Sequence, residues 1–474
     1  MVLLVLRLGV FVIAQAFPEG GVLVDSRAYL EMASGLKQPG WAGMDRIDLH
    51  WTLGYPAFLV LAERLTGTTL VGVGLLQLIL TGAAAIALWS IGARLGDARA
   101  GMAAAWLYAL SPSAALWSLT IMSESLFAFL LAAALAVWVT TLTGGRPIGG
   151  LFAGMILAVA ALVRPIGLPL IVLWAGIGLM ARSSSGRRGP NMVRMGLFVA
   201  GSLALLAPWV IRNWSVTGKP VFAEVPGDTL VRFNLAYVVA EAEGISRDEA
   251  ATRLTSTVHS WDDGLAIIRR YPVIFLRQQW HGLRRSLTGV ESGVWARQLG
   301  YGLDRQGSLE ILSTLLAGEP LRALDRLRTL LQDPETALLT SLALIALVHT
   351  AALYVLGLAG LVSVLRRGGV VRATYVQVSL SILFLLVVPG AAGQARFRIP
   401  VEPFLALTAG AGCSALIDSA RRRRNFLSDR RREESQPTAP GSPGGLIAHS
   451  SLTNGSPTRI QRWTHDETAQ VAHV

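Results

Sequence analysis

The sequence is poor in sulfur, in lysine and in charge. One cysteine, Cys413, stands among 474 residues, which excludes an intrachain disulfide framework and any thiolate metal cluster. Lysine occurs only at Lys37 and Lys219. The cations are therefore nearly all arginine, whose planar guanidinium suits bidentate phosphate binding. Charged residues make up 15% of the chain and hydrophobic ones 52%, whereas soluble domains carry roughly a quarter charged residues. This is the balance of an integral membrane protein. A net charge of +12 could suit nucleic acid, but the arginines fall mostly between long apolar runs, the positive-inside pattern. No nucleic-acid partner is expected. Internal repeats, Walker loops, metalloprotease helices and zinc spacings are also missing.

A helix needs about 20 apolar residues to cross a hydrocarbon layer ~30 Å thick. Ten runs read as spans. The first is Met1 to Phe17, and the others lie at about 70–93, 101–117, 120–140, 149–163, 166–181, 195–211, 337–365, 374–392 and 401–418. Ala14-Gln15-Ala16 resembles a signal-peptidase site, yet no basic region precedes the apolar run. A retained first span, or a start codon assigned too late, is expected. Arg94, Arg99, Arg146, Arg182, Arg187, Arg188, Arg194, Arg366, Arg367, Arg372 and Arg421 to Arg424 mark alternate connections. They share one side if both termini are cytoplasmic.

The expected fold is therefore an all-α polytopic membrane protein of about ten transmembrane helices. Its membrane region covers 1–420, with a first outward loop at 18–53 and a large outward helical segment at 212–336 between helices 7 and 8. A tail, 421–474, rich in Ser, Pro, Gly, Thr and charge, reads as disordered and cytoplasmic. Gly54 to Leu65 reads as a short interfacial helix. Trp261 to Leu287 mixes arginines with aromatic residues, as a single helix either on anionic headgroups or packed on its own domain.

Polar residues on the outward side carry the chemistry. Asp25, Tyr29 and Ala33, at i, i+4 and i+8, share one face of a helix starting near Asp25. Asp25 is either a helix cap or a functional acid, and Arg27 could pair with it or meet a phosphate. Glu124 opens the fourth span, as a cap or as a second acid. Arg164-Pro165 joins two apolar runs with almost no loop, so Arg164 must meet water, an acid or a phosphate. Arg212 and Asn213 end the seventh span beside Trp209, which alone would be an ordinary interfacial anchor. Arg396 and Arg398 lie between the last two spans, on the side that should be poor in arginine. They read as anion-binding, or as ordinary loop charge.

These stretches together resemble a known family. They are Asp25-Ser26-Arg27-Ala28-Tyr29-Leu30, His50-Trp51-Thr52-Leu53-Gly54-Tyr55-Pro56, Ser123-Glu124-Ser125-Leu126-Phe127 and Val163-Arg164-Pro165. Pro208-Trp209-Val210-Ile211-Arg212-Asn213 and Arg396-Phe397-Arg398-Ile399-Pro400 complete the set. In this order and topology the chain resembles the polytopic GT-C glycosyltransferases. Within them it is similar to the bacterial dolichyl-phosphate-mannose protein mannosyltransferase-like group. The resemblance implies a hexosyl- or pentosyltransferase in the cell membrane of a bacterium, with its active site extracytoplasmic. The donor would be a polyprenyl-phosphate-linked sugar, the acceptor a protein, lipid or polysaccharide, and the displacement inverting.

Asp25 would be the catalytic base, and Arg396, Arg398, Arg212 and Arg164 would bind the donor phosphate. Tyr29, His50, Tyr55, Glu124 and Asn213 would contact substrate. Family members often carry a second acid directly after the first, where Ser26 stands here. If a divalent metal is used, Glu124, Asp45 or Asp48 would have to supply that acid. Two other classes remain open: a lipid-linked sugar transporter or flippase, and an inactive assembly protein of the same fold. Transporters often show inverted repeats with broken helices. Neither feature is evident in this chain.

Overall fold

The computed structural model describes residues 9, 11, 12, 18–38, 50–180, 189–258, 260–301 and 319–435. Among them all regular structure is helical. The first half runs α1 Val24–Leu36, α2 Gly54–Thr66, α3 Thr69–Arg94, α4 Ala98–Ala109, α5 Pro112–Ser118, α6 Glu124–Leu142, α7 Ile148–Val163, α8 Leu168–Met180 and α9 Gly189–Thr217. After α9 come α10 Ala236–Glu243, α11 Arg247–Thr257, α12 Trp261–Arg270, α13 Pro272–Thr288, α14 Ser292–Gln298 and α15 Pro320–Gln332. The chain closes with α16 Pro334–Leu365, α17 Gly369–Val387 and α18 Glu402–Ser435. It divides into two units, 1–421 and 422–474. In the second, the described residues 422–435 are helical. Disorder was expected from residue 421, but arginine and glutamate are good helix formers and sustain the helix to Ser435. Residues 436–474 lie outside the described set.

The chain is an integral membrane protein. Six helices among the described residues are long and apolar enough to cross a bilayer, and two shorter apolar ones lie at Ile148–Val163 and Pro165–Met180. The run expected as a span at 101–117 is not one helix. Ser111 caps α5 by accepting the Ala114 N–H, and Pro112 follows at its first position. A proline there starts a helix but cannot continue the preceding one. At ~1.5 Å per residue, α4 alone falls well short of the hydrocarbon thickness. The first expected span lies almost wholly outside the described residues. Trp261 to Leu287 is likewise two helices, because Tyr271-Pro272 interrupts it.

Close backbone contact sets how the spans pack. A Cβ on Gly154 would collide with the Phe198 carbonyl, and one on Gly201 with that of Leu151. Small residues let α7 and α9 touch along their length, as helices do where lipid removes the hydrophobic drive to associate. Trp138, Phe127, Trp174, Phe198 and Phe404 fill the core around α6. Ile345, Val348, Val355, Leu358 and Val362 form an exposed stripe on α16, suited to face lipid.

Candidate active site

The site is assembled on α1. Asp25 lies in its first turn, where the helix dipole favours an anion. Tyr29 and Ala33 on the same face are buried, and Asp25 keeps 30% of its side chain exposed. Ser26 points inward with no exposure. Its hydroxyl accepts the Leu23 N–H at 2.8 Å and donates to the Ile121 carbonyl at 2.7 Å. Where the sequence resemblance led to the expectation of a second acid, this residue instead pins α1 to the turn before α6. Arg27 is exposed, and the cation that meets Asp25 comes from elsewhere.

That cation is Arg396. Its Nη1 lies 2.8 Å from Asp25 Oδ2. It is carried by a 3-10 turn, Ala395–Val401, and lies over the Phe397 ring at 5.2 Å. Backbone contact with α13 fixes the preceding turn. A Cβ on Gly282 would strike the Gly390 carbonyl, and Arg285 donates to the carbonyls of Ala391 and Gly393. Arg285 belongs to the stretch read either as lying on headgroups or as packed on its own domain, and here it braces the turn that presents Arg396.

A second ion pair sits beside the first. Arg164 Nη1 lies 2.7 Å from Glu124 Oε1 and donates to Ser123 Oγ at 3.1 Å. Glu124 is wholly buried, while Arg164 retains 17% exposure. Pro165 holds Arg164 in extended backbone, φ −142° and ψ 120°, as expected before proline. Its guanidinium lies 5.9 Å from the Phe397 ring, so both arginines border one aromatic side chain. Tyr29 reaches the same place, its hydroxyl 3.5 Å from Ser123 Oγ. Burial pushes that phenol up to about 12, so it stays protonated and able to donate. Tyr29 also packs on Trp51 and Tyr55, with centroids 4.9 and 4.8 Å away. Tyr55 is fully buried and its hydroxyl has no hydrogen-bond partner.

One member went unforeseen. Glu291 Oε1 accepts the Arg396 backbone N–H at 2.7 Å. Its backbone is left-handed, φ 50°, the one non-glycine with positive φ among the described residues. Such conformations cost roughly 1–3 kcal/mol and persist where surrounding structure enforces them. Burial raises its carboxyl, against the lowering effect of the Arg396 N–H and charge. A raised acid stabilises the fold below its ordinary range and loses that contribution as pH rises through the folded value. Thermal unfolding of detergent-solubilised protein between about pH 4 and 7 should therefore show the wild type losing stability relative to Glu291→Gln as pH rises. The amide retains an acceptor for the Arg396 N–H. A constant difference across that range would disprove the buried-acid account.

Three expected ligands are engaged elsewhere. Arg398 is 1% exposed, and its Nη1 donates to the carbonyls of Ser286 and Leu287 at 3.1 and 3.0 Å. Its Nη2 donates to the Gly289 carbonyl at 3.0 Å, and its Nε lies 3.6 Å from Glu402 Oε1. A guanidinium used in this way is a structural cross-link, not a phosphate ligand. Arg212 donates to Asn213 Oδ1 at 3.0 Å and lies 5.4 Å over Trp209. Asn213 is fully buried and donates to the Val221 carbonyl at 2.8 Å, while Trp209 donates to that of Phe222. Arg212 and Asn213, expected as phosphate and substrate ligands, thus help close the end of α9 onto the 219–222 loop. Trp209 packs with Met32, two turns along α1 from Asp25. His50 stands beside the cluster, its ring 5.0 Å from Trp51.

The donor set among the described residues does not by itself fit a metal ion. Among the described residues no group of three His, Cys, Asp or Glu side chains could hold one. Asp25 and Glu124 each face a guanidinium, which a divalent cation would have to displace. Asp45 and Asp48 lie outside the described residues.

Apolar helices long enough to cross a bilayer, with two neighbouring acid–arginine pairs among them, define a polytopic membrane protein. Residues 52–212 match the family model for dolichyl-phosphate-mannose-protein mannosyltransferase. Over those residues, about a third of the chain, the match agrees with the resemblance read from the sequence. No curated protein matches. Among solved structures, the Archaeoglobus fulgidus oligosaccharyltransferase tethered to an acceptor peptide aligns with 14% identity and a TM-score of 0.49, over 89% of this chain and 50% of that one. The same enzyme, AglB, with an inhibitory peptide and a dolichol-phosphate gives 14% and 0.48, and with zinc and sulfate 15% and 0.48. The chain spans about half the length of these structures.

Proposed function

We propose that the chain transfers a sugar from a polyprenyl-phosphate donor to an acceptor hydroxyl on the extracytoplasmic face of a bacterial membrane. The observation that carries this reading is the 2.8 Å pair between Asp25 and Arg396. It sets a partly exposed carboxylate against a cation with donors to spare, since Arg396 Nε has no hydrogen-bond partner. Asp25 accepts the acceptor's hydroxyl proton as the new C–O bond forms, the role of a general base. The bond from the sugar carbon to the donor phosphate breaks, and its electron pair leaves on the lipid phosphate. Arg396, with Arg164 across Phe397, stabilises that growing charge. Fixed cations act most strongly where water is scarce. Attack opposite the leaving group makes the transfer inverting, and no step requires a metal.

Cells lacking the protein should accumulate one polyprenyl-phosphate sugar, which mass spectrometry of lipid extracts would identify. Unchanged pools of every such lipid would refute the donor assignment. Arg396→Ala should raise the donor KM and lower kcat by roughly 10²-fold, the scale of losing one transition-state donor. The acceptor KM should hardly move. Equal effects on both substrates would remove Arg396 from the phosphate.

A further inference from the structure

A cavity of about 570 Å³ opens where the first outward loop meets the large outward segment. Small-ligand sites span about 300–1,000 Å³. His50, Glu224, Asp228, Arg232 and Thr255 line it, with Val231 as an aliphatic wall. The Asp25 pair does not border it, so this is a separate recess.

Two features tie the recess to the catalytic cluster. Its wall includes a π-helical turn, Thr229–Leu235, a rare form that often marks functional sites. Asn234 fastens this turn. Its amide donates to the Thr229 carbonyl at 3.1 Å, and its oxygen accepts the Ala391 N–H at 2.8 Å. Ala391 lies five residues before Arg396. A Cβ on Gly390 would strike that Asn234 oxygen, and the glycine also holds φ 59°. On the other side, the His50 ring meets Trp51 at 5.0 Å, and Trp51 meets Tyr29 at 4.9 Å. Tyr29 stands one helical turn from Asp25.

The lining selects a class of ligand. Glu224 and Asp228 are carboxylates, and the single arginine, Arg232, already lies 2.6 Å from Asp228. An anionic phosphate is therefore disfavoured, and a lipid chain would bury these charged groups, whereas Val231 and Val258 offer an apolar face to the C–H side of a sugar ring. Thr255 and His50 add hydroxyl and imidazole groups, the Thr255 hydroxyl donating to the Ala251 carbonyl and so offering an acceptor. Neutral sugar hydroxyls, each donor and acceptor at once, match this lining. A peptide strand would need a sheet edge to pair with, and the described residues contain no strand.

We infer that this cavity is the acceptor subsite, and that it holds the inner sugars of a neutral glycan whose terminal hydroxyl reaches Asp25. The inference rests on the transferase reading. The Asn234 link to the Arg396 turn then couples an occupied acceptor site to the donor side.

The test uses membranes carrying the full chain, supplied with the radiolabelled polyprenyl-phosphate sugar that accumulates without it. Label should enter a protease-resistant, carbohydrate-containing product. Thr255→Trp, which fills the cavity, should raise the acceptor KM roughly tenfold or more with the donor KM unchanged. Glu224→Ala, at an exposed position that packing does not depend on, should shift the same constant and guards against misfolding of the larger variant. Label released by protease, or found in a lipid without glycan, would overturn the glycan assignment. Wild-type acceptor KM in Glu224→Ala and in folded Thr255→Trp would overturn the cavity's role. Absence of transfer by the wild type would instead defeat the transferase reading.

Discussion

Asp25→Asn is expected to lower kcat by about 10²- to 10⁴-fold, the usual contribution of a general base. The side chains are nearly isosteric, so shape does not change; what is lost is the ability to take a proton and the charge that pairs with Arg396. The helix should survive, because Ser26 binds the Ile121 carbonyl and Tyr29 is buried in the core independently of the carboxylate. Losing the charge should cost a moderate amount of stability, between the about 0–1 kcal/mol of an exposed pair and the about 3–5 kcal/mol of a buried one, because Asp25 is 30% and Arg396 23% exposed and the amide oxygen can still accept from Arg396. Arg396, released from Asp25, should keep or improve its hold on the donor phosphate. The expected signature is a collapsed kcat with donor KM unchanged or lower and melting temperature within a few degrees of wild type. Turnover by a well-folded Asp25→Asn at the wild-type rate would remove this residue from the chemistry.

Arg398→Ala should fail in a different way, through the fold. Arg398 and Glu402 are each 1% exposed, and Glu402 also accepts the Ser111 hydroxyl at 2.6 Å. Removing the arginine leaves a buried carboxylate without its cation and takes a donor from the carbonyls of Ser286, Leu287 and Gly289, of which Leu287 keeps the Tyr354 hydroxyl. Breaking a buried pair from one side costs about 3–5 kcal/mol, a large share of the stability of an ordinary domain. The variant should express poorly and unfold at markedly lower temperature in detergent. Arg398→Ala with Glu402→Gln should recover part of the loss, because no unpaired charge remains. A stable single variant with raised donor KM would restore Arg398 as a phosphate ligand.

These two outcomes separate residues that look alike in the chain. Arg396 and Arg398 both break the charge rule on one side, and both read as anion-binding. On the tight turn they point apart, one to Asp25 and one into carbonyls. Arg212 and Asn213 likewise have the residue types of a ligand site, but they close a helix end. Glu291 left no trace in the sequence, because an acid in a polar segment is unremarkable until its left-handed backbone and its bond to Arg396 are seen.

The sequence by itself determined the membrane class, the all-helical fold, most span positions and the stretch with the proposed base. Those follow from local quantities: apolar run length against bilayer thickness, charge between runs, and helical spacing. Helix breaks at Ser111-Pro112 and Tyr271-Pro272 were written there too, though hydropathy masked them. Tertiary structure alone decided which arginine meets which acid. Asp25 and Arg396 are 371 residues apart, and their meeting depends on how α13 and the Gly390 turn interlock. Spacing along a chain carries no record of such an approach.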